Sequence, residues 1–406
     1  MDVQIVHEIF FMASLIFFGG MVGGAIAQKF ELPDVVLYLL VGILLGPYGM
    51  NVLNVANGSL TVKLILTVGT SFILYLGGRE VKIRVIKRVW VTIFLLSTIG
   101  VLISTFIVGY TSHLLLGIPF SIALLLGAII SPTDPATLVP IFKQYKIKKK
   151  VAQTVSSESA FNDAVGSVLF FTFLNVITSG HLSLEHSFVL FLKDTSFGIG
   201  IGLLIGIFGT VLISQSDYGF LKNFSPIMSI FVAITSYLVA ESLGGSGFMA
   251  SFVSGMVCGN KVYIGMKCNL ENRKVQETVN ETTGLILRMM IFIVLGTMID
   301  FNIIFNHFWI NLFIIFIFMF VARPLTIFTS TLPDGRADWH WNEMLFMCWV
   351  RETGVMPAAL TGMLMGMNIP YLSHIVGIAF MTIIITLLVQ ATTTNIVADK
   401  LGLIDK

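Results

Sequence analysis

The chain has 406 residues, of which 56% are hydrophobic and 11% charged, with a mean hydropathy of +0.92. Soluble domains carry about 25% charged residues, so this composition excludes an ordinary soluble domain and indicates a membrane protein. The net charge of +2 is too small to indicate a nucleic-acid surface, and we expect no nucleic-acid partner. The three cysteines show neither a metal-ligand spacing nor an even-numbered disulfide framework.

Thirteen apolar segments approach the length of about 20 residues that a membrane-spanning helix needs. The second, eighth and ninth of them are short. The segments lie near residues 3–29, 34–46, 60–77, 89–116, 120–141, 152–177, 188–213, 226–242, 245–258, 275–299, 303–328, 343–367 and 371–398. They predict an all-α polytopic protein of the cell membrane, with about 13 transmembrane helices surrounded by lipid.

The basic residues predict the orientation. Of the 24 Lys and Arg residues, five lie inside spans, and the other 19 (24 less 5) lie in connections after odd-numbered spans or in the C-terminal tail. Short connections that are rich in Lys and Arg stay in the cytoplasm. The sequence therefore predicts an N-terminus outside the cell and a C-terminus inside it.

The fifth span carries an acid between two prolines, in the motif Ser131-Pro132-Thr133-Asp134-Pro135. A charge at mid-membrane costs at least about 2.5–3.5 kcal/mol and therefore needs a partner, water or a function. Because each proline removes a helical hydrogen bond and clashes with the preceding turn, the span is predicted to be interrupted here. Such an interruption survives only inside protein or beside a wet cavity. The alternative is a proline kink in which Asp134 acts as a local cap.

The sixth span contains the sequence Glu158-Ser159-Ala160-Phe161-Asn162-Asp163. Helical spacing places Ser159 beside Asp163 and Glu158 beside Asn162. Carboxylate and hydroxyl oxygens are hard ligands, which suit small hard cations. The alternative is a buried hydrogen-bonding cluster that only holds helices together.

The twelfth span is predicted to be interrupted as well, because Gly354 and Pro357 follow Arg351 and Glu352 near its middle. The fifth span begins outside and the twelfth begins inside. Spans one to six and eight to thirteen are thus predicted to form two inverted six-helix repeats. Interrupted segments at corresponding positions of inverted halves point to a transport site.

Four motifs occur in order on matching spans: Ser131–Pro135, Glu158–Asp163, Arg323-Pro324 and Trp349–Gly354. Together they resemble the cation:proton antiporter superfamily, NhaP-like branch, over nearly the whole chain. The resemblance implies a secondary active antiporter, not an enzyme, that exchanges Na⁺ (or Li⁺ or K⁺) for H⁺ by alternating access. It implies a role in pH and sodium homeostasis, no cofactor, and electroneutral one-for-one exchange, which the Asn-Asp pair marks.

The resemblance also implies a homodimer of two-domain subunits. Residues 1–88 and 186–300 would form the scaffold and dimerisation domain. Residues 89–185 and 301–406 would form the mobile, ion-translocating core with two crossed discontinuous helices.

Site roles follow from the same resemblance. Asp163 would alternately hold the cation and the proton. Ser159, Asp134 and a Thr133 backbone oxygen would complete the cation shell.

Four further residues would support this shell. Asn162 accompanies Asp163, and Glu158 would pair with Arg351 to hold the core together. Arg323 would face the helix crossing.

The third span departs from the family pattern, in which an acid often precedes a small residue and a glycine. Leu76 stands at that position, and Glu80 follows one turn later among basic residues. A third carboxylate at the ion site is therefore not expected.

Three rival functions stay open: a cation-coupled transporter of another solute, a channel, and an intramembrane enzyme. Acids at the break count against an anion transporter. The sequence shows no carbonyl-filter motif and no HExxH.

Overall fold

The computed structural model describes residues 2–30, 32–53, 59–133, 138, 141–142, 145–179, 184–214, 219–260, 270–365, 367 and 369–404. Regular structure in these ranges is helical, apart from one isolated β-bridge between Ile147 and Ile404. The predicted all-α class is confirmed.

The described residues of the first part of the chain include seven helices whose bounds are established. They are α1 (Asp2–Lys29), α2 (Asp34–Leu45), α3 (Leu60–Glu80), α4 (Ile83–Leu95), α5 (Val101–Leu116), α6 (Phe120–Ile130) and α7 (Lys149–Ser179). A π turn at Leu96–Gly100 joins α4 to α5.

Eleven α-helices follow among the later residues that the structure describes. They are α8 (Leu184–Leu212), α9 (Ser225–Ser242), α10 (Gly247–Gly259), α11 (Leu270–Thr297), α12 (Phe301–Phe305), α13 (Phe308–Ile317), α14 (Arg323–Thr331), α15 (Trp341–Trp349), α16 (Val355–Leu364), α17 (Leu372–Ile385) and α18 (Thr392–Lys400). Two further π turns, Phe318–Ala322 and Thr386–Ala391, join α13 to α14 and α17 to α18.

The helices match the apolar segments of the sequence. The described residues contain nine helices that are long and apolar enough to cross a membrane, and four shorter apolar helices, α2, α6, α10 and α16. These positions coincide with the predicted spans, so the protein is a multi-pass membrane protein. The exact number of crossings stays a prediction.

Glycines let several helices meet at backbone distance. A Cβ on Gly42 of α2 would lie 2.1 Å from the carbonyl oxygen of Ile293 in α11. A Cβ on Gly255 of α10 would lie 2.0 Å from the carbonyl oxygen of Tyr75 in α3. Larger residues would push these helices apart, so glycine fixes the spacing of both crossings.

Helix α4 bends at Val89, the residue where the sequence predicts the fourth span to begin. Val89 has non-helical angles, φ −117° and ψ 16°. One carboxylate oxygen of buried Asp334 accepts hydrogen bonds from the Thr92 backbone N–H (3.0 Å) and hydroxyl (2.7 Å). The carboxylate thus caps the straight part of the helix after the bend.

The C-terminal segment packs under the start of α7. Leu403 is 1% exposed, and its carbonyl oxygen accepts a hydrogen bond from the Lys148 N–H at 2.9 Å. Its side chain joins an apolar cluster that includes Phe142 and Val151. The connection before α7 is therefore held by residues from the other end of the chain.

Candidate functional site

The first predicted interruption begins where α6 ends. Ile130 is the last residue of α6, and residues 131–133 are not helical. Asp134 and Pro135 lie outside the described residues, so the role of Asp134 stays a prediction.

Polar side chains of α7 bind the non-helical residue Thr133. Asn162 donates from Nδ2 to the Thr133 hydroxyl at 2.9 Å, and its Oδ1 accepts from the Thr133 backbone N–H at 3.2 Å. The Thr133 and Ser159 hydroxyl oxygens are 2.6 Å apart. All three residues are at most 1% exposed. Three of the predicted site residues therefore form one buried hydrogen-bonded cluster.

Asp163 lies directly after Asn162 on the same helix, one turn from Ser159, and is 2% exposed. A close approach holds α7 against the interruption, because a Cβ on Gly166 would lie 2.3 Å from Cγ of Pro132. The structure thus brings a buried carboxylate to a region of hydroxyl and amide groups. Such a region can hold a hard cation or a proton.

The second predicted interruption spans residues 350–354, between α15 and α16. Side chains that follow α17 bind both of its edges. The Thr353 N–H donates to the Thr386 hydroxyl at 3.1 Å, and Gln390 Nε2 donates to the carbonyl oxygen of Trp349. These side chains satisfy backbone groups at both edges of the gap inside the protein.

Arg323 is the partner of Glu158. Its two terminal nitrogens donate to the two Glu158 carboxylate oxygens, with Nη2 3.0 Å from Oε2. Its Nε donates to the carbonyl oxygen of Met347 at 2.9 Å, and Nη2 also donates to that of Val350 at 3.0 Å. The predicted pairing of Glu158 with Arg351 is wrong. The planar guanidinium of Arg323 faces the carboxylate in a two-pronged arrangement instead.

Arg351 binds the first interruption. Its Nη2 donates to the carbonyl oxygen of Ser131 at 2.9 Å, and Nη1 donates to the Ser104 hydroxyl at 3.0 Å. Its Cζ lies 4.1 Å from the centre of the Phe318 ring, a cation–π contact. Because Arg351 belongs to the second interruption, this hydrogen bond shows that the two interruptions lie side by side.

At each interruption, an arginine side chain binds the carboxyl end of the helix that precedes the gap. Arg351 meets the carboxyl end of α6, and Arg323 meets the carboxyl end of α15. The carboxyl end of a helix carries partial negative charge on carbonyl groups that lack helical partners. The two arginines supply hydrogen-bond donors and positive charge at both ends.

The third span contributes no carboxylate to this cluster. A Cβ on Gly284 of α11 would lie 2.8 Å from Cδ1 of Leu76, so the leucine side chain lies against α11. Glu80 lies at the end of α3 and lines a separate cavity.

That cavity, of about 530 Å³, lies between the end of α3 and the start of α7. Its lining includes Gln153 and Ser156. Asp163 follows Ser156 by seven residues, or about 10 Å along the helix, and on the same face.

Sequence reasoning missed several polar groups. Thr386, Gln390 and Thr394 recur every fourth residue in an apolar segment, a stripe that could have indicated a helix face turned towards polar backbone. Ser104 carries no comparable signal, because single serines are common in apolar spans.

Several known antiporters are similar to this chain in sequence or in fold. A Na(+)/H(+) antiporter 1 of Methanocaldococcus jannaschii is 27% identical over 93% of this chain and 92% of its own length. A K(+)/H(+) antiporter NhaP of Alkalimonas amylolytica is 26% identical over 96% of this chain and 66% of its own. The solved structure of the sodium proton antiporter MjNhaP1 from M. jannaschii superposes with a TM-score of 0.81, at 26% identity and 99% coverage of both chains.

The profile of the transmembrane sodium/hydrogen exchanger family matches residues 13–400, nearly the whole length. Because this match covers more than half of the chain, it shows that the chain belongs to the sodium/hydrogen exchanger family.

Proposed function

We propose that the chain is a secondary active antiporter that exchanges Na⁺ for H⁺ at Asp163. The observation that carries this proposal is the burial of Asp163 beside the Thr133–Ser159–Asn162 cluster at an interrupted helix. A buried carboxylate needs a counter-charge or a proton. A cation and a proton would therefore compete for it.

Exchange then follows from alternating access. The site opens to one side of the membrane at a time and changes sides only when it holds a cation or a proton. This requirement couples the cation gradient to the proton gradient. If Asp163 alone takes up and releases the proton, one cation is exchanged for one proton and the exchange is electroneutral. Asp134 would add a second oxygen ligand, together with Ser159 and Thr133.

The proposal also covers the two domains, the dimer and the orientation in the membrane. The core, residues 89–185 and 301–406, would move against the scaffold, residues 1–88 and 186–300. Scaffolds of two copies would form a homodimer in the cell membrane, with the N-terminus outside.

The test is exchange by purified protein in liposomes, followed with a pH-sensitive dye inside the vesicles. Asp163→Asn should abolish the Na⁺-dependent pH change, because an amide can neither release a proton nor balance a cation's charge. Asp399→Asn, the same change at an exposed position, should leave the exchange intact. Exchange retained by Asp163→Asn would remove Asp163 from the mechanism.

A second candidate, K⁺/H⁺ exchange, is favoured by the K(+)/H(+) antiporter among the similar proteins. The same assay with Na⁺, Li⁺ and K⁺ added in turn separates the candidates. A response to K⁺ alone would replace the first proposal, and a response to none would favour transport of another solute.

A further inference from the structure

A cavity of about 530 Å³ opens beside α7, at the end of the helix that the sequence places on the cytoplasmic side. Its walls come from the end of α3, the connection before α7 and the first two turns of α7. The lining residues are Glu80, Val81, Lys82, Phe142, Lys146, Ile147, Lys149, Ala152, Gln153 and Ser156.

The lining is strongly basic. The lining contains three lysines, Lys82, Lys146 and Lys149, and one acidic residue, Glu80. Within the described part of the chain, none of these three lysines forms an ion pair. Lys150, which points elsewhere, is paired with Glu343 at 2.7 Å. Among the described residues, the lining therefore carries more positive than negative charge.

Lys149 lies where its charge is least favourable to the fold. It occupies the first turn of α7, which holds no acidic residue. The amino end of a helix carries partial positive charge and free N–H groups, so it prefers an anion. A bound anion would offset both the lysines and the helix end.

The segment that carries Lys146 is held in place by backbone contacts. Ile147 is 4% exposed and pairs with Ile404, and the adjacent Lys148 N–H is bonded to Leu403. These contacts hold the backbone directly after the lysine. Its position in the cavity is therefore set by the fold.

We propose that this cavity binds a phosphate-bearing anion, either a free cytoplasmic one or a lipid headgroup. Lysine ammonium groups bind phosphate as point charges, and a cavity of this volume accommodates a small molecule. An anion held there would join α3, in the proposed scaffold, to α7, in the proposed core. On the proposed antiport function, occupancy would slow exchange by opposing movement between them.

Binding is tested first without transport, by isothermal titration of the purified protein with inorganic pyrophosphate. The variant Lys82→Gln/Lys146→Gln/Lys149→Gln should weaken binding by at least about tenfold. The control Arg84→Gln/Lys222→Gln/Lys400→Gln removes three exposed charges from the same predicted side and should match the wild type. Equal weakening in both variants, or no binding by the wild type, would overturn the proposal.

The two anion sources are separated in nanodiscs. If the headgroup is the natural occupant, pyrophosphate should bind more weakly to wild type in phosphatidylglycerol than in phosphatidylcholine discs, and this difference should vanish in the triple-lysine variant. If a free anion is the natural occupant, the wild type should bind pyrophosphate equally well in both kinds of disc. A lipid effect that persists in the variant would overturn the headgroup assignment.

Exchange is then measured with pyrophosphate trapped on the cytoplasmic side. Exchange by the wild type should become slower, and exchange by the triple-lysine variant should not. If the wild type binds pyrophosphate but exchange does not become slower, the regulatory role alone is overturned. Absence of any exchange, with binding intact, would count against the antiport function instead.

Discussion

Arg323 and Arg351 each satisfy a helix end and a polar neighbour, but only Arg323 holds a carboxylate. Glu158 is 2% exposed and Arg323 1%. Removing one partner of a buried pair leaves the other charge uncompensated, which costs about 3–5 kcal/mol. Truncating Arg323 also removes the donors to Met347 and Val350.

A double-mutant cycle tests the pairing. Glu158→Gln and Arg323→Met should each lower the melting temperature in detergent, and the double variant should be less destabilised than the sum of the two. The coupling should be about 0.5–3 kcal/mol, the range for residues in direct contact. The cycle of Glu158→Gln with Arg351→Met is the control, and a larger coupling there would contradict the observed pairing.

Gly166 offers a second test at this scale. In Gly166→Ala the new Cβ would overlap Pro132, so we expect a loss of about 1–3 kcal/mol, as for overpacked cores, together with slower exchange. Gly200→Ala is the matched control, since a Cβ there meets nothing within 4 Å. It should be neutral or slightly stabilising, because alanine is the better helix former. Equal effects of the two variants in thermal unfolding would argue against a tight contact.

The sequence identified the residue types of the site but not their pairing. Asp163, Ser159, Asn162 and Thr133 share two short motifs, so local spacing could bring them together. The partner of Glu158 depends instead on which face of α14 turns inward. A π turn immediately before Arg323 shifts that face relative to a continuous α-helix, and no sequence rule predicted the turn.

At the scale of elements, proline and glycine predicted where helices break. Pro132 marks the end of α6, and Gly354 ends the gap before α16. The polar groups that satisfy the second gap come from a distant helix. Thr386 and Gln390 belong to the π turn after α17, which departs from α-helical hydrogen bonding.

Thr386→Val should destabilise the second interruption, because the Thr353 N–H would lose its acceptor. An unsatisfied buried donor costs about 1–3 kcal/mol. Thr382→Val is the control, since the Thr382 hydroxyl is bonded to Ile378 in its own helix. The melting temperature and the exchange rate should both fall more for Thr386→Val than for Thr382→Val. The reverse order would show that Thr386 does not support the gap.

At the scale of the whole molecule, hydropathy predicted nearly every helix, because lipid and a folded interior both require apolar surface. Short helices such as α2 and α10 were the weakest predictions. Their contacts depend on glycines that allow close approach, as at Gly42 and Gly255, and hydropathy does not report such crossings. The arrangement of helices around one another therefore needed the structure.

The predicted orientation can be tested by labelling. In a background without cysteine, Asn302→Cys and Lys222→Cys place single thiols at exposed positions on the two predicted sides. A membrane-impermeant maleimide added to intact cells should label position 302 and should reach position 222 only after permeabilisation. The opposite pattern would invert the assigned topology.

The bridge between Ile147 and Ile404 joins residues that are 257 positions apart (404 less 147). During synthesis, the connection before α7 emerges long before its partner exists. Its final packing must wait until the ribosome has made residues 403 and 404, since domains assemble as the chain appears. The cavity wall beside α7 therefore reaches its final packing only after a late step of synthesis, although most of its lining residues are made early.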